Sequence, residues 1–253
     1  MPAISATIIT RNESANIARA IRSLSCADEV VVIDDNSTDD TREIAQGLGA
    51  RVITHRWEGF ATQKNFSSEQ ARHDWILGID ADEELDATAQ AAILAWKRSD
   101  PSAAGYQFAR RAQYLGRWIL HSVWYPDYKL RLFDRRRGRW EGAYVHESVA
   151  VDGPVEKLAG EILHYTYQSL EQHRRRMEFY TDLAAREFVE RGKHVGFLRR
   201  KLAPLWVFFF TYFLRLGVLD GRQGFLIANM AARYVSRKYE KARSAEKQAM
   251  KKA

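Results

Sequence analysis

Short, unbroken apolar runs alternate with stretches whose apolar residues recur every three or four positions. Ile4-Ser5-Ala6-Thr7-Ile8-Ile9 reads as a first strand, and Asn12-Glu13-Ser14 offers caps for a helix with Ile17, Ala20, Ile21 and Leu24 on one face. Glu29 to Ile33 is a second strand, followed by a helix carrying Ile44, Ala45 and Leu48 that Gly49 closes. Arg51 to Thr54 is a third strand, Phe60 to Asn65 opens another helix, and Asp74 to Ile79 is a fourth strand. Glu83-Glu84-Leu85 is expected to begin a further helix. Apolar strands separated by amphipathic helices predict an α/β fold with a doubly wound, mostly parallel sheet.

The pattern then changes. Tyr125 to Phe133 starts in a turn and continues with strand-like alternation, and Arg135-Arg136-Arg137-Gly138-Arg139 reads as a solvated hairpin turn. Ser169 to Arg191 has Leu170, Met177, Tyr180, Ala184 and Phe188 at helical spacing, with Gly192 as its stop. Leu202 to Leu214 is uncharged and rich in aromatics, too short for the roughly 20 residues of a spanning helix. Arg199, Arg200 and Lys201 precede it and Arg215 follows it, as in a segment lying in a lipid headgroup interface; packing on the core is the competing reading. Leu219 to Phe225 turns into a last helix whose charged end, Arg237 to Lys252, is expected to fray. The division expected is 1–167 and a helical extension, 168–253.

Charge sharpens that division. The net charge is +7, yet from Gln168 onward there are 19 Lys and Arg against 8 Asp and Glu, and before it 20 against 24. An acidic first part and a basic second part face different partners, and the apolar block inside the basic part favours a membrane surface over nucleic acid. One cysteine, Cys26, leaves no internal disulfide and fits a reducing compartment. The first apolar stretch lacks the basic flank and cleavage site of a signal peptide.

Polar residues collect where strands end, which is where open α/β sheets bind ligands. Thr10-Arg11-Asn12-Glu13 follows strand one, Asp34-Asp35-Asn36-Ser37 follows strand two, and Asp80 and Asp82 follow strand four. An isolated Asp-x-Asp is as easily an acidic turn, and a helix cap accounts for Asn36 or Ser37 alone. Acidic pairs at two strand ends exceed what capping requires. Glycine-rich dinucleotide and P-loop patterns are absent, leaving a nucleotide site built from carboxylates around Mg²⁺ or Mn²⁺.

Thr-Arg-Asn-Glu, then Asp-Asp-Asn-Ser-Thr-Asp-Asp-Thr, then Gly-Ile-Asp-Ala-Asp-Glu together resemble a family 2 glycosyltransferase of the GT-A fold, over about residues 4 to 165. The resemblance implies that Asp35 contacts the base of a nucleotide-sugar with Asp34 in support, Asp80 lies near the ribose or metal, and Asp82 holds the metal on the diphosphate. Tyr-Pro-Asp at 125–127, Arg-Leu-Phe at 131–133 and Val-His-Glu at 145–147 resemble the lipopolysaccharide core glucosyltransferase branch. That likeness implies an inverting transfer with Glu147 as base and Asp127 as its rival, and His146, His164 and Arg131 as further substrate contacts. It implies UDP-glucose as donor, a lipid-linked heptose or related sugar as acceptor, and residence on the cytoplasmic face of the inner membrane. A polyprenyl-phosphate glycosyltransferase and a non-catalytic nucleotide-sugar-binding scaffold are the alternatives.

Overall fold

The protein's structure, a computed structural model, describes residues 1–142, 147–190, 192, 194 and 196–252, and it divides into two compact units. The first comprises residues 1–111 and 127–165; the second comprises 112–126 and 166–253. The excursion 112–126 thus groups with the helical extension.

In the first unit β1 (Ile4–Thr10), β2 (Glu29–Asp34), β3 (Arg51–Thr54) and β4 (Trp75–Asp80) lie in the order β3-β2-β1-β4, all parallel. Helices α1 (Ile17–Arg22), α2 (Thr41–Gly47) and α3 (Phe60–Gln70) connect them. Ile4, Ile8, Ile33, Ile76 and Leu77 are fully buried, as expected of parallel strands. Each predicted strand lies within a residue or two of its place. α3 is unlike the other crossovers, because its buried residues are the polar Gln63, Lys64, Ser67 and Ser68.

Past β4 the sheet turns antiparallel. β5 (Glu83–Leu85) occupies the place where a helix was expected, and α4 (Ala87–Trp96) begins after it, capped by the Asp86 side chain accepting the Ala89 N–H at 2.7 Å. Glu83 to Leu85 is drawn into the sheet by antiparallel pairing with β11 (Val155–Tyr167), against which local charge patterning carries no weight. β6 (Gly105–Tyr114), with the short β7 (Arg117–Trp118) beside it, and β8 (Asp127–Asp134) complete the order β4-β8-β6-β11-β5. A separate hairpin of β9 (Gly138–Glu141) and β10 (Ser148–Val151) carries Trp140. A Cβ at Gly78 of β4 would come within 2.8 Å of the Trp140 ring, so glycine is what lets the indole close over the strand. The arginine-rich run does turn, but not as the expected hairpin, because β8 and β9 on either side of it lie in different sheets. Arg135 and Arg136 are also tied down, Arg135 donating to the Ser68 and Ala71 carbonyls and Arg136 pairing with Asp74 and Asp134.

The second unit is built on α5 (Leu170–Glu190) and α7 (Gly221–Lys252), with α6 (Phe197–Phe209) and a wider helical turn, Phe210–Leu214, between them. α5 buries His173, Met177, Thr181 and Ala185, a face one residue round from the one its hydrophobic spacing predicts. The shift follows from its partners: the His173 ring stacks on Tyr167 at 4.3 Å and its Nδ1 lies 2.9 Å from the Tyr114 hydroxyl, while Glu178 and Asp182 pair with Arg237 and Lys241 of α7. Those pairs, with Tyr239 and Ala242 buried, tie residues 237–242 at the start of the charged end of α7 to α5. α6 buries none of its residues, and Leu205 and Trp206 are 67% and 58% exposed. No single helix among the described residues is long and apolar enough to cross a membrane, though Phe197–Leu214 and Gly217–Ala245, bent by 74°, pass that test as a pair.

Burial of His173 lowers its pKa to about 4. The unfolded chain, with an ordinary histidine, takes up a proton first, so this contribution is intact above about pH 6.5 and is lost as pH falls toward 4. The expected size is at most about 3 kcal/mol. Denaturant titrations from pH 7 to 4 should show a loss in the wild type exceeding that of His173→Gln; equal losses would mean that the imidazole protonates without cost.

Candidate active site

Three strand ends in the first unit build the site. After β1 and β2 the loops are laced together. Asn12 donates its N–H to Ser37 Oγ at 2.9 Å, Glu13 donates its N–H to Thr41 Oγ1 at 2.8 Å, and Asn12 Oδ1 accepts the Thr38 N–H at 2.8 Å. Asn12 and Asn36 carry φ values of 54° and 50°, the left-handed region that asparagine tolerates better than most residues. Asp34 is fully buried and accepts from Ser37 through both its N–H and hydroxyl. That is a loop-shaping role. Asp35 accepts from Arg11 at 3.0 Å and from the Trp57 N–H at 3.1 Å, and Thr10 Oγ1 is buried with no partner among the described residues.

The end of β4 is a dense charge cluster. Asp80 Oδ1 is 2.7 Å from Lys64 Nζ and its Oδ2 is 2.9 Å from Arg131. Burial opposes charge on Asp80, but Lys64 and Arg131 overcome it and hold the carboxyl well below the usual carboxylate range. Glu83, fully buried, accepts from Arg131 at 2.8 Å, from Arg110 at 3.3 Å and from the Asp80 N–H at 3.1 Å. Burial would lower the Arg131 pKa, yet Glu83 and Asp80 raise it, so the guanidinium stays charged. Arg110 also grips Asp127 at 2.6 Å, and Lys129 lies 3.1 Å from the same carboxylate. Glu147 pairs with Lys64 at 3.2 Å. A cavity of about 470 Å³ is lined by Lys64, Asp80, Arg110, Arg131, Trp140 and Glu147 among others.

Asp82 lies apart from those cations. Its Oδ2 is 3.4 Å from His164 Nε2, and its carbonyl accepts the Tyr165 N–H at 2.9 Å. Among the described residues no three His, Cys, Asp or Glu side chains are arranged to hold a metal. The Asp82–His164 pair nonetheless suits a hard divalent ion whose other ligands are substrate phosphates and water. Asp80 has both oxygens engaged by cations.

The structure thus brings Asp80, Arg131 and Glu147 to one cavity, sets Asp127 beside it on Arg110, and groups Thr10 to Glu13 with Asp34 and Asp35 in the first two loops. His146 lies outside the described residues. Lys64, Glu83 and Arg110 escaped the sequence reading. The one available signal was the helix Phe60 to Asn65, whose Gln63-Lys64-Asn65 leaves it without a clear apolar face.

Residues 5–151 match the model of glycosyl transferase family 2. An uncharacterized glycosyltransferase of Rickettsia prowazekii is 34% identical over 89% of this chain and 82% of its own length. The lipopolysaccharide core biosynthesis glycosyltransferase LpsC of Rhizobium meliloti is 30% identical over 91% and 88%. Among solved structures, S. aureus TarS 1-349 in complex with UDP-GlcNAc matches 98% of this chain and 92% of that one at 14% identity, with a TM-score of 0.49. The chain belongs to glycosyl transferase family 2, and its fold is GT-A.

Glu83 is the residue on which this cluster should depend for stability. Glu83→Ala strands Arg131 and part of Arg110 in a buried setting, which typically costs about 3–5 kcal/mol. Urea unfolding should show that loss; a change under about 1 kcal/mol would mean that Asp80 and Asp127 suffice as counter-charges.

Proposed function

We propose that this family 2 glycosyltransferase transfers a hexose, glucose from UDP-glucose, with inversion onto a heptose or related sugar of a lipid-linked lipopolysaccharide core. What carries the reading is one cavity in which Lys64 and Arg131 hold Asp80 at the end of β4 and Lys64 also holds Glu147. The acceptor class is supported by the likeness to LpsC, and the donor by the resemblance to core glucosyltransferases.

Asp35 would receive the base and Asp34 would keep its loop in shape. Asp82 and His164 would hold Mg²⁺ or Mn²⁺, which when bound neutralises charge on the departing diphosphate. Glu147 would take the proton of the acceptor hydroxyl as that oxygen bonds to the anomeric carbon. The bond from that carbon to the diphosphate oxygen breaks, and the electron pair leaves with the nucleoside diphosphate. Asp127, clamped by Arg110 and Lys129, is the less available base. A donor screen on heptose-terminated lipopolysaccharide, read by product mass, tests the reading. A hexose adduct from UDP-glucose, abolished by EDTA and by Asp82→Ala, is expected. Glu147→Gln should reduce kcat by about 10²–10⁴. An active Glu147→Gln beside an inactive Asp127→Asn would transfer the role to Asp127.

The second unit would attach the enzyme to the inner face of the cytoplasmic membrane. Support comes from α6, which exposes apolar side chains beside Arg199, Arg200, Lys201 and Arg215. Apolar burial would supply affinity, and each cation about 1 kcal/mol on anionic lipid. Replacing Trp206, Phe209 and Phe213 by Ser should release the protein from phosphatidylglycerol vesicles without lowering its thermal midpoint. Wild-type protein that ignores such vesicles would dispose of the membrane role.

A further inference from the structure

Among the described residues Lys64 is the one side chain that touches both the carboxylate at the end of β4 and the carboxylate proposed as base. It springs from α3, where its side chain is 6% exposed, and its ammonium reaches Asp80 Oδ1 at 2.7 Å and Glu147 Oε1 at 3.2 Å. The Trp140 ring lies 4.5 Å from the same nitrogen, and Trp140 is itself fixed over Gly78 and by two hydrogen bonds between its backbone and Asn65 of α3. A buried ammonium between two carboxylates has little freedom to move, because either displacement leaves a charge unpaired. Lysine has three N–H donors, so two anionic partners and a ring face fill its coordination. Glu147 Oε1 is taken by this contact, and Oε2 has no hydrogen-bond partner among the described residues.

We propose that Lys64 is a positioning residue: it binds Oε1 of Glu147 and anchors it to Asp80, so that Oε2 faces the cavity in register with the donor-binding strand end. The proposal rests on Glu147 being the base. Lys64 touches neither sugar in this role; it acts through Glu147, as a base in a catalytic site is commonly oriented by a third group. Lys64 then gives α3 one reason to turn a polar face inward, while Gln63 beside it bonds to the His55 ring and carbonyl.

The test is a double-variant cycle with UDP-glucose and heptose-terminated lipopolysaccharide as substrates, comparing wild type, Lys64→Met, Glu147→Gln and the pair. Lys64→Met should lower kcat by at least ~10-fold with the KM for UDP-glucose changed less than about 2-fold, and the double variant should be no slower than Glu147→Gln, because residues acting as a unit are not additive. Losses that multiply in the double variant, or a raised KM with kcat unchanged, overturn the proposal and assign Lys64 to the donor. A near-normal Glu147→Gln instead overturns the base assignment beneath it. Lys64→Arg, with its thermal midpoint, covers the case in which Lys64→Met does not fold. Reduced kcat in a folded Lys64→Arg supports positioning, whereas wild-type kcat shows that charge alone suffices and overturns it.

Discussion

A guanidinium cannot be left unpaired inside a protein, and Arg131 is 4% exposed in the middle of the first unit. Glu83 and Asp80 neutralise it, Arg110 shares Glu83 and passes on to Asp127, and Lys64 shares Asp80 and passes on to Glu147. The chain of charges alternates in sign from Asp127 to Glu147. Each member is held in place by the next, so the candidate base and the strand-end aspartate are parts of one electrostatic unit. Coulomb attraction at these separations strengthens with burial, and Glu83, Arg131 and Lys64, with side chains 0%, 5% and 6% exposed, are the buried centre of the chain.

The parallel strands decide what that cluster faces. Because β1, β2 and β4 are adjacent and parallel, their carboxyl ends open on the same edge, and three separate loops meet there. The side chains divide the labour by exposure. Asp34, fully buried, spends its oxygens on Ser37, whereas Asp35 keeps Arg11, two-thirds exposed, at the surface. Asp82 stands away from the lysine and arginine that saturate Asp80 and has an imidazole beside it. Two aspartates one residue apart therefore have different surroundings: Asp80 is saturated by cations, whereas Asp82 keeps a carboxylate beside an imidazole.

The second unit follows a different physical rule. Its interior is held by α5 against α7 through Glu178, Asp182, Arg237 and Lys241, and by the neutral His173 among Tyr114, Trp124 and Tyr167. α6 lays one face on α7, where Phe208 meets the Phe225 ring edge-on at 5.7 Å, and on its other face exposes leucine, tryptophan and phenylalanine in one stretch. A contiguous apolar surface of this kind marks an interaction face. Within residues 202–214 both readings have a counterpart: Thr211 is buried and Phe208 and Tyr212 pack on Phe225, while Leu205, Trp206, Phe209 and Phe213 stay exposed.

Local periodicity was enough to read the first four strands, their crossovers and the acidic strand ends, because a parallel strand must be apolar on both faces whatever lies beside it. The family likeness was legible for the same reason, since its motifs sit in loops directly joined to those strands. Glu83 to Leu85 was misread as helical because its state is set by β11, nearly eighty residues on, and the buried face of α5 was set by Tyr114 and α7. Lys64 and Glu147 are 83 positions apart, and nothing in either neighbourhood indicates the other. The sequence by itself determined which elements form and which carboxylates stand at their ends. Only the tertiary structure decided which cation each carboxylate holds, because a buried charge takes its partner from whatever the fold brings within about 3 Å, and hydrophobic period carries no record of that distance.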